Sequence, residues 1–224
     1  LFRIDRIRKN YKKIKKSIKD VEIFYAVKAN DHPKILETLI KEGSGFEISS
    51  LNELKILLKL KVEKSKIICL NPIKSPDFLL EMKKNNIDIM AFDSTDEIDK
   101  IAKYAKGSKV VLRISVNNEG SDWPLTKKFG VDAGEALPLL RYARKNKIEP
   151  IGLTFHVGSQ CLNKNNWSSA LYICDDIWKQ AAKEKINLSF LSLGGGIPIK
   201  HMKETHKIAE IGKLINRELS KNFK

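Results

Sequence analysis

The chain has 224 residues, 42% of them hydrophobic, and carries 42 Lys and Arg against 27 Asp and Glu for a net charge of +15. The length suits one large α/β domain, and no apolar run reaches the roughly 18 residues that a membrane span needs. Three cysteines (Cys69, Cys161, Cys174) show no CxxC spacing, which argues against a zinc site or a disulfide framework and for a reduced, cytoplasmic protein.

Short apolar runs alternate with helical patterns along the whole chain. The lysine-rich start, "RIRKNYKKIKKSIK", spreads its charge over a helix face. Such a pattern, repeated along the chain without interleaved aromatic residues for base stacking, makes a solvated surface a better reading of the charge than nucleic-acid binding. Strands are predicted at 22–29 ("EIFYAVKA"), 45–49 ("GFEIS"), 66–71 ("KIICLN"), 88–94 ("DIMAFDS"), 109–115 ("KVVLRIS"), 151–158 ("IGLTFHVG") and 188–195 ("LSFLSLGG"). Helical periodicity lies between them. Over 32–43, Ile35, Leu36, Leu39 and Ile40 share one stripe, Pro33 sits near the start and Gly43 closes the segment. A last amphipathic pattern spans 202–223. Alternation with apolar strands predicts a parallel sheet covered on both faces. The seven strand–helix units suggest a (β/α)8 TIM-type barrel that stops before its eighth strand. The alternative is an open doubly wound sheet, whose usual GxGxxG after the first strand is missing.

In a (β/α)8 barrel the active site lies at the C-terminal ends of the strands, and polar residues gather there. Lys28 closes the first strand, Glu47 lies in the second, Asp93 closes the fourth, Arg113 lies in the fifth and His156 in the sixth, and Gly194, Gly195 and Gly196 follow the seventh. Each has an ordinary structural explanation: a satisfied core histidine, an Asp93 helix cap, a Glu47–Arg113 ion pair, a lysine that snorkels outward. Together they place a cation, an acid, an imidazole and a glycine turn at one mouth. A partly desolvated lysine suits covalent chemistry with a carbonyl. A glycine turn exposes backbone N–H groups to a phosphate. A cofactor with both an aldehyde and a phosphate is pyridoxal phosphate. No second His or Cys stands at ligand spacing from His156, and His32, His201 and His206 fall in helix or loop patterns, so no metal is expected.

The motifs "FYAVKAN", "GFEISS", "FDS", "VLRI", "KKFG", "FHVGSQ" and "LGGG", in this order over residues 4–197, resemble the ornithine/diaminopimelate/arginine decarboxylase family of fold-type III pyridoxal-phosphate enzymes. "NPIK" (71–74), "PLTKKFG" (124–130) and "GGGIP" look most like the ornithine-type branch. The resemblance implies a pyridoxal-phosphate-binding barrel over residues 1–224, a C-terminal β domain that this chain lacks, and a homodimer with shared active sites. It implies that Lys28 bonds the cofactor covalently, that His156 stacks on its ring, and that Ser159 and the Gly194–Gly196 backbone hold its phosphate. Arg113 lies near it, balanced by Glu47; Glu53 supports the His156 side; Lys128 meets the partner subunit. The activity implied is decarboxylation of a basic amino acid, ornithine first, then lysine or arginine. Diaminopimelate decarboxylation, a catalytically dead regulatory homologue and a racemase-like barrel are the alternatives. The family's eighth-strand Glu-Pro-Gly-Arg stretch does not occur, so the chain alone is expected to be inactive.

Overall fold

The computed structural model describes residues 3–125, 128–200 and 204–223. His201, and Thr126 and Lys127 of the 124–130 motif, lie outside the described residues.

The chain begins with helix α1 (Ile4–Ser17), followed by β1 (Phe24–Ala26), α2 (Pro33–Lys41), β2 (Gly45–Glu47), α3 (Leu51–Lys59), β3 (Ile67–Ile68), α4 (Pro76–Lys84), β4 (Ile89–Phe92), α5 (Thr95–Tyr104) and β5 (Lys109–Arg113). Then come β6 (Ser121–Trp123), α6 (Ala133–Lys145), β7 (Glu149–Thr154), β8 (Ser159–Cys161), α7 (Asn165–Lys183), β9 (Phe190–Ser192) and α8 (Ile208–Asn222). All seven predicted strands are present, mostly shorter than their apolar runs.

Helices α2 to α5 start where the sequence gives them caps. Ser50, Ser75 and Ser94 each accept a hydrogen bond from the backbone N–H three residues on, at 3.3, 3.3 and 3.2 Å, satisfying a donor that has no partner inside the helix. In α2, Pro33 stands at the first helical position, His32 Nδ1 accepts from Lys34 N–H at 3.2 Å, and Gly43 turns the chain out with φ of +82°. Ile35, Leu36 and Leu39 are buried. The strands are apolar on both faces because both are covered: Phe46, Met90, Ala91, Phe92, Val110, Val111, Leu112 and Leu153 are fully buried.

The strands β1-β2-β3 form one parallel set and β4-β5-β7-β9 another, and a parallel bridge between Cys69 and Met90 joins them. Seven strands thus lie side by side in chain order. The order never reverses, so the switch point of a doubly wound sheet is absent and that alternative is set aside. Among the described residues no pairing joins β9 to β1. Outside the sheet, α3 to α8 pack in succession, and α1 lies against both α2 and α8. At the α1–α8 seam, Asn216 accepts from Lys19 N–H and donates to Ser17 O, both at 3.0 Å. A Cβ on Gly212 would lie 2.2 Å from Ser17 O, so only glycine allows this approach. No helix among the described residues is long and apolar enough to cross a membrane.

The short antiparallel pair β6–β8, with Trp123 opposite Ser159 and Ser121 opposite Cys161, was not expected from the sequence. It stands past the ends of β5 and β7, beside the mouth.

Candidate functional site

The C-terminal strand ends bring Lys28, Glu47, Asp93, Arg113 and His156 within electrostatic reach of one another. The positions differ in detail from the expectation. Lys28 does not close a strand. It lies in a single 3-10 turn, Val27–Ala29, directly after β1. Val27 takes the buried position and turns Lys28 outward, so its side chain is 63% exposed and the expected desolvation is not found. Its Nζ is 3.9 Å from Glu47 Oε2. Glu47 thus makes its ion pair with Lys28, and its charge also reaches Arg113. Burial raises the Glu47 carboxyl above its ordinary range, and the Lys28 charge partly offsets this. Ser49 Oγ donates to Glu47 Oε1 at 3.4 Å.

Arg113, the last residue of β5, lies with its guanidinium 4.9 Å from the centre of the Phe129 ring. Burial pulls its pKa down, and Asp93 and then Glu47 oppose that pull. Asp93 follows β4 but caps nothing: Ser94 caps α5, and Asp93 Oδ2 accepts from Gly130 N–H at 2.9 Å. Lys128 is exposed, with Nζ 5.3 Å from the same Phe129 ring.

His156 sits two residues past β7, not inside the strand. Its Nδ1 accepts from Gly158 N–H at 3.0 Å. Burial, then the Arg113 and Lys28 charges, push its pKa down to about 4, so the ring is neutral at physiological pH. Ser159, exposed, begins β8. Glu53 does not reach toward His156. Its Oε2 accepts from Ser49 N–H at 2.8 Å and its Oε1 from Ser50 Oγ at 3.1 Å, a variant of the capping box that reaches one residue before the N-cap of α3.

The Gly194–Gly196 turn is glycine for a steric reason as well as for access. A Cβ on Gly194 would lie 1.9 Å from Phe155 O, on Gly195 3.0 Å from His156 Nε2, and on Gly196 2.3 Å from Gly158 O. The turn is pressed against the 155–158 segment. Gly194 N–H donates to Ser192 Oγ at 3.3 Å. The N–H groups of Gly195 and Gly196 have no acceptor among the described residues, which leaves two donors for an anion.

The sequence reading did not single out Lys74 for burial, yet this is the lysine that is buried. Its side chain is wholly inaccessible. Nζ donates to Ala91 O at 2.6 Å and to Asn71 O at 3.0 Å, and lies 2.9 Å from Glu97 Oε1, while Lys100 holds Glu97 Oε2 at 2.7 Å. It ties the 71–74 loop to β4 and α5, just below Asp93. Asn118 was missed as well; no local pattern marks either residue.

Comparison with known proteins bears on what the mouth takes. Residues 4–224 match the family model described as "Pyridoxal-dependent decarboxylase, pyridoxal binding domain". The chain is 34% identical over 221 residues to the lysine/ornithine decarboxylase of Selenomonas ruminantium, covering 98% of this chain and 56% of that relative. It is 30% identical over 208 residues to antizyme inhibitor 2 of Homo sapiens, covering 93% of this chain and 45% of that protein. The solved structure of SrLDC in complex with PLP and cadaverine superposes with a TM-score of 0.91 at 33% identity, covering 98% of this chain and 56% of that one. The chain thus spans about half the length of the relatives it matches. The mouth fits such a group: an amine at Lys28, a flat neutral ring at His156, and a turn with two unused N–H donors and no room for side chains. On its family match and its identity to these relatives, the chain belongs to the pyridoxal-dependent decarboxylases, whose pyridoxal-binding domain its residues 4–224 match.

Proposed function

We propose that this chain is the cofactor-holding (β/α)8 barrel of a decarboxylase acting on a basic amino acid, with ornithine or lysine preferred. Pyridoxal phosphate is the cofactor. The observation that carries the reading is the convergence of Lys28, Glu47, Arg113 and His156 beside a glycine turn with free N–H groups. Ser159 and the Gly194–Gly196 backbone would hold the phosphate, His156 would offer its ring to the pyridine, and Lys28 would supply the amine for the aldehyde. When bound, the cofactor supplies an electron sink for the pair released as the substrate carboxylate leaves as CO2. Lys28 Nζ would anchor the cofactor and carry protons at the reacting end. Glu47, made more basic by burial, is the adjacent acceptor for those protons. A homodimer completes the site, with Lys128 and the exposed Trp123 on the shared rim.

The relation to antizyme inhibitor 2 supports a second reading, a binding protein without turnover; the intact Lys28 favours the enzyme. Borohydride reduction of the protein loaded with pyridoxal phosphate, followed by peptide mapping, should label Lys28. A label on another lysine defeats the assignment. Release of CO2 from ornithine and lysine separates the enzyme from the binding protein.

Gly195→Ala tests the cradle. Gly195 has ordinary backbone angles, so the added methyl meets only the His156 ring, 3.0 Å away. Affinity for pyridoxal phosphate, followed by absorbance titration, should fall about tenfold, equivalent to about 1.4 kcal/mol, while the circular dichroism spectrum is unchanged. Unaltered affinity would remove the turn from the phosphate site.

A further inference from the structure

His156 is held at more than one point, and the holds fix its chemistry. Because ring Nδ1 accepts a hydrogen bond from Gly158 N–H at 3.0 Å, it carries a lone pair, and the single ring proton of the neutral form sits on Nε2. Protonating Nδ1 would set one N–H against another. The charged groups that face the ring are both cationic: Arg113 from the end of β5 and Lys28 from the turn after β1.

That loop is organised by Asn118, which is 5% exposed and uses its whole amide. Nδ2 donates to His156 O and to Val116 O, each at 3.0 Å, and Oδ1 accepts from Leu125 N–H at 2.6 Å. The Asn118 carbonyl accepts from Ser121 N–H at 3.1 Å and from Ser121 Oγ at 2.7 Å. Ser121 Oγ in turn fills the space behind Gly158, where a Cβ would lie 2.4 Å from it. The Asn118 side chain thus braces the backbone of His156 directly, and the main-chain carbonyl of the same residue holds Ser121 behind Gly158, whose N–H selects the tautomer. A buried amide with every hydrogen bond made fixes local geometry strongly, since any rearrangement leaves a polar group unpaired.

We propose that Asn118 is a positioning residue that locks His156 as a neutral Nε2–H imidazole, a rigid plate that neither gives nor takes a proton during turnover. The significance for catalysis rests on the reading of His156 as the ring that lies along the cofactor; the tautomer itself is a property of the chain alone.

The test is ring-nitrogen NMR of the 15N-labelled full chain without cofactor, from pH 5 to 8.5, with His156 assigned by its loss in His156→Asn. The unaltered protein should show one tautomer, proton on Nε2, and no titration in this range. Asn118→Ala should give a mixture of tautomers and a midpoint moved up toward the ordinary histidine value by at least about one pH unit. A residue that merely stabilised the loop would lower the melting temperature of Asn118→Ala and leave the tautomer as it was. If Asn118→Ala does not fold, Ser121→Ala, which loosens the Gly158 side only, is read in its place. A proton on Nδ1 or a midpoint near 6.5 in the unaltered chain overturns the proposal, as does a variant with the unaltered tautomer. Pyridoxal phosphate is then added and its binding followed by absorbance. Failure of His156 to sense the cofactor would count against the functional reading and leave the tautomer result standing.

Discussion

On the proposed decarboxylase reading, Lys28→Ala should lower CO2 release from ornithine or lysine by about three to four orders of magnitude, the upper range for a lost proton-transfer group combined with loss of a covalent anchor. The side chain is 63% exposed and makes one ion pair at 3.9 Å, so stability should change by no more than about 0.5 kcal/mol. That separation makes the variant informative: activity disappears while the melting temperature stays. Lys28→Arg should not rescue, because a guanidinium keeps its charge and is a poor nucleophile. It preserves the electrostatic pairing with Glu47, so any activity it retained beyond Lys28→Ala would measure charge alone. Turnover of Lys28→Ala within tenfold of the unaltered protein would show that the amine at this position takes no part in the reaction.

Lys74→Ala should be the most destabilising single substitution near the site, at about 3 kcal/mol. Removing one member of a buried ion pair costs about 3–5 kcal/mol because the other charge is left without compensation, and the remaining Lys100 contact to Glu97 sets this case at the low end. The loss also frees Ala91 O and Asn71 O from their donor. Denaturant unfolding reads the effect directly. The double variant Lys74→Met with Glu97→Leu separates the pair from the packing: it removes both charges at similar volume and should recover most of the loss. If the double variant is as unstable as the single, the lysine's backbone hydrogen bonds outweigh the charge pair. A single variant within 0.5 kcal/mol of the unaltered protein, an ordinary surface effect, would mean that Lys74 is not buried as described.

The two lysines show what the sequence could and could not convey. Lys28 ends an apolar run, and a run of that kind reads as buried; one 3-10 turn, which leaves no mark in hydrophobic periodicity, puts its side chain in the open. Lys74 stands in a short polar loop, and its burial depends on Ala91 and Glu97, brought to it by the parallel packing of β3 against β4. Asn118 is similar: its partner His156 is 38 positions away. Local patterns carried the strands and most helices because each strand is apolar on both faces and each of α3, α4 and α5 has a serine at its start. They missed β6 and β8, three residues each and largely polar. Glu53 was legible in another way: Ser50 and Glu53 have capping-box spacing, a local explanation that outweighs the long-range role the family resemblance implied for it. The candidate site residues could be picked out because they stand where apolar strands end.

The seam between α1 and α8 bears on how the molecule assembles. The hydrogen bonds of Asn216 to Ser17 and Lys19 join positions 199 and 197 residues apart, whereas neighbouring strands are joined by connections of a few tens of residues. Closing a loop of that size costs about 5 kcal/mol in chain entropy, against about 3 for a connection of twenty residues. The strand–helix units can therefore zip together one after another, and the seam closes last, when little freedom is left to lose.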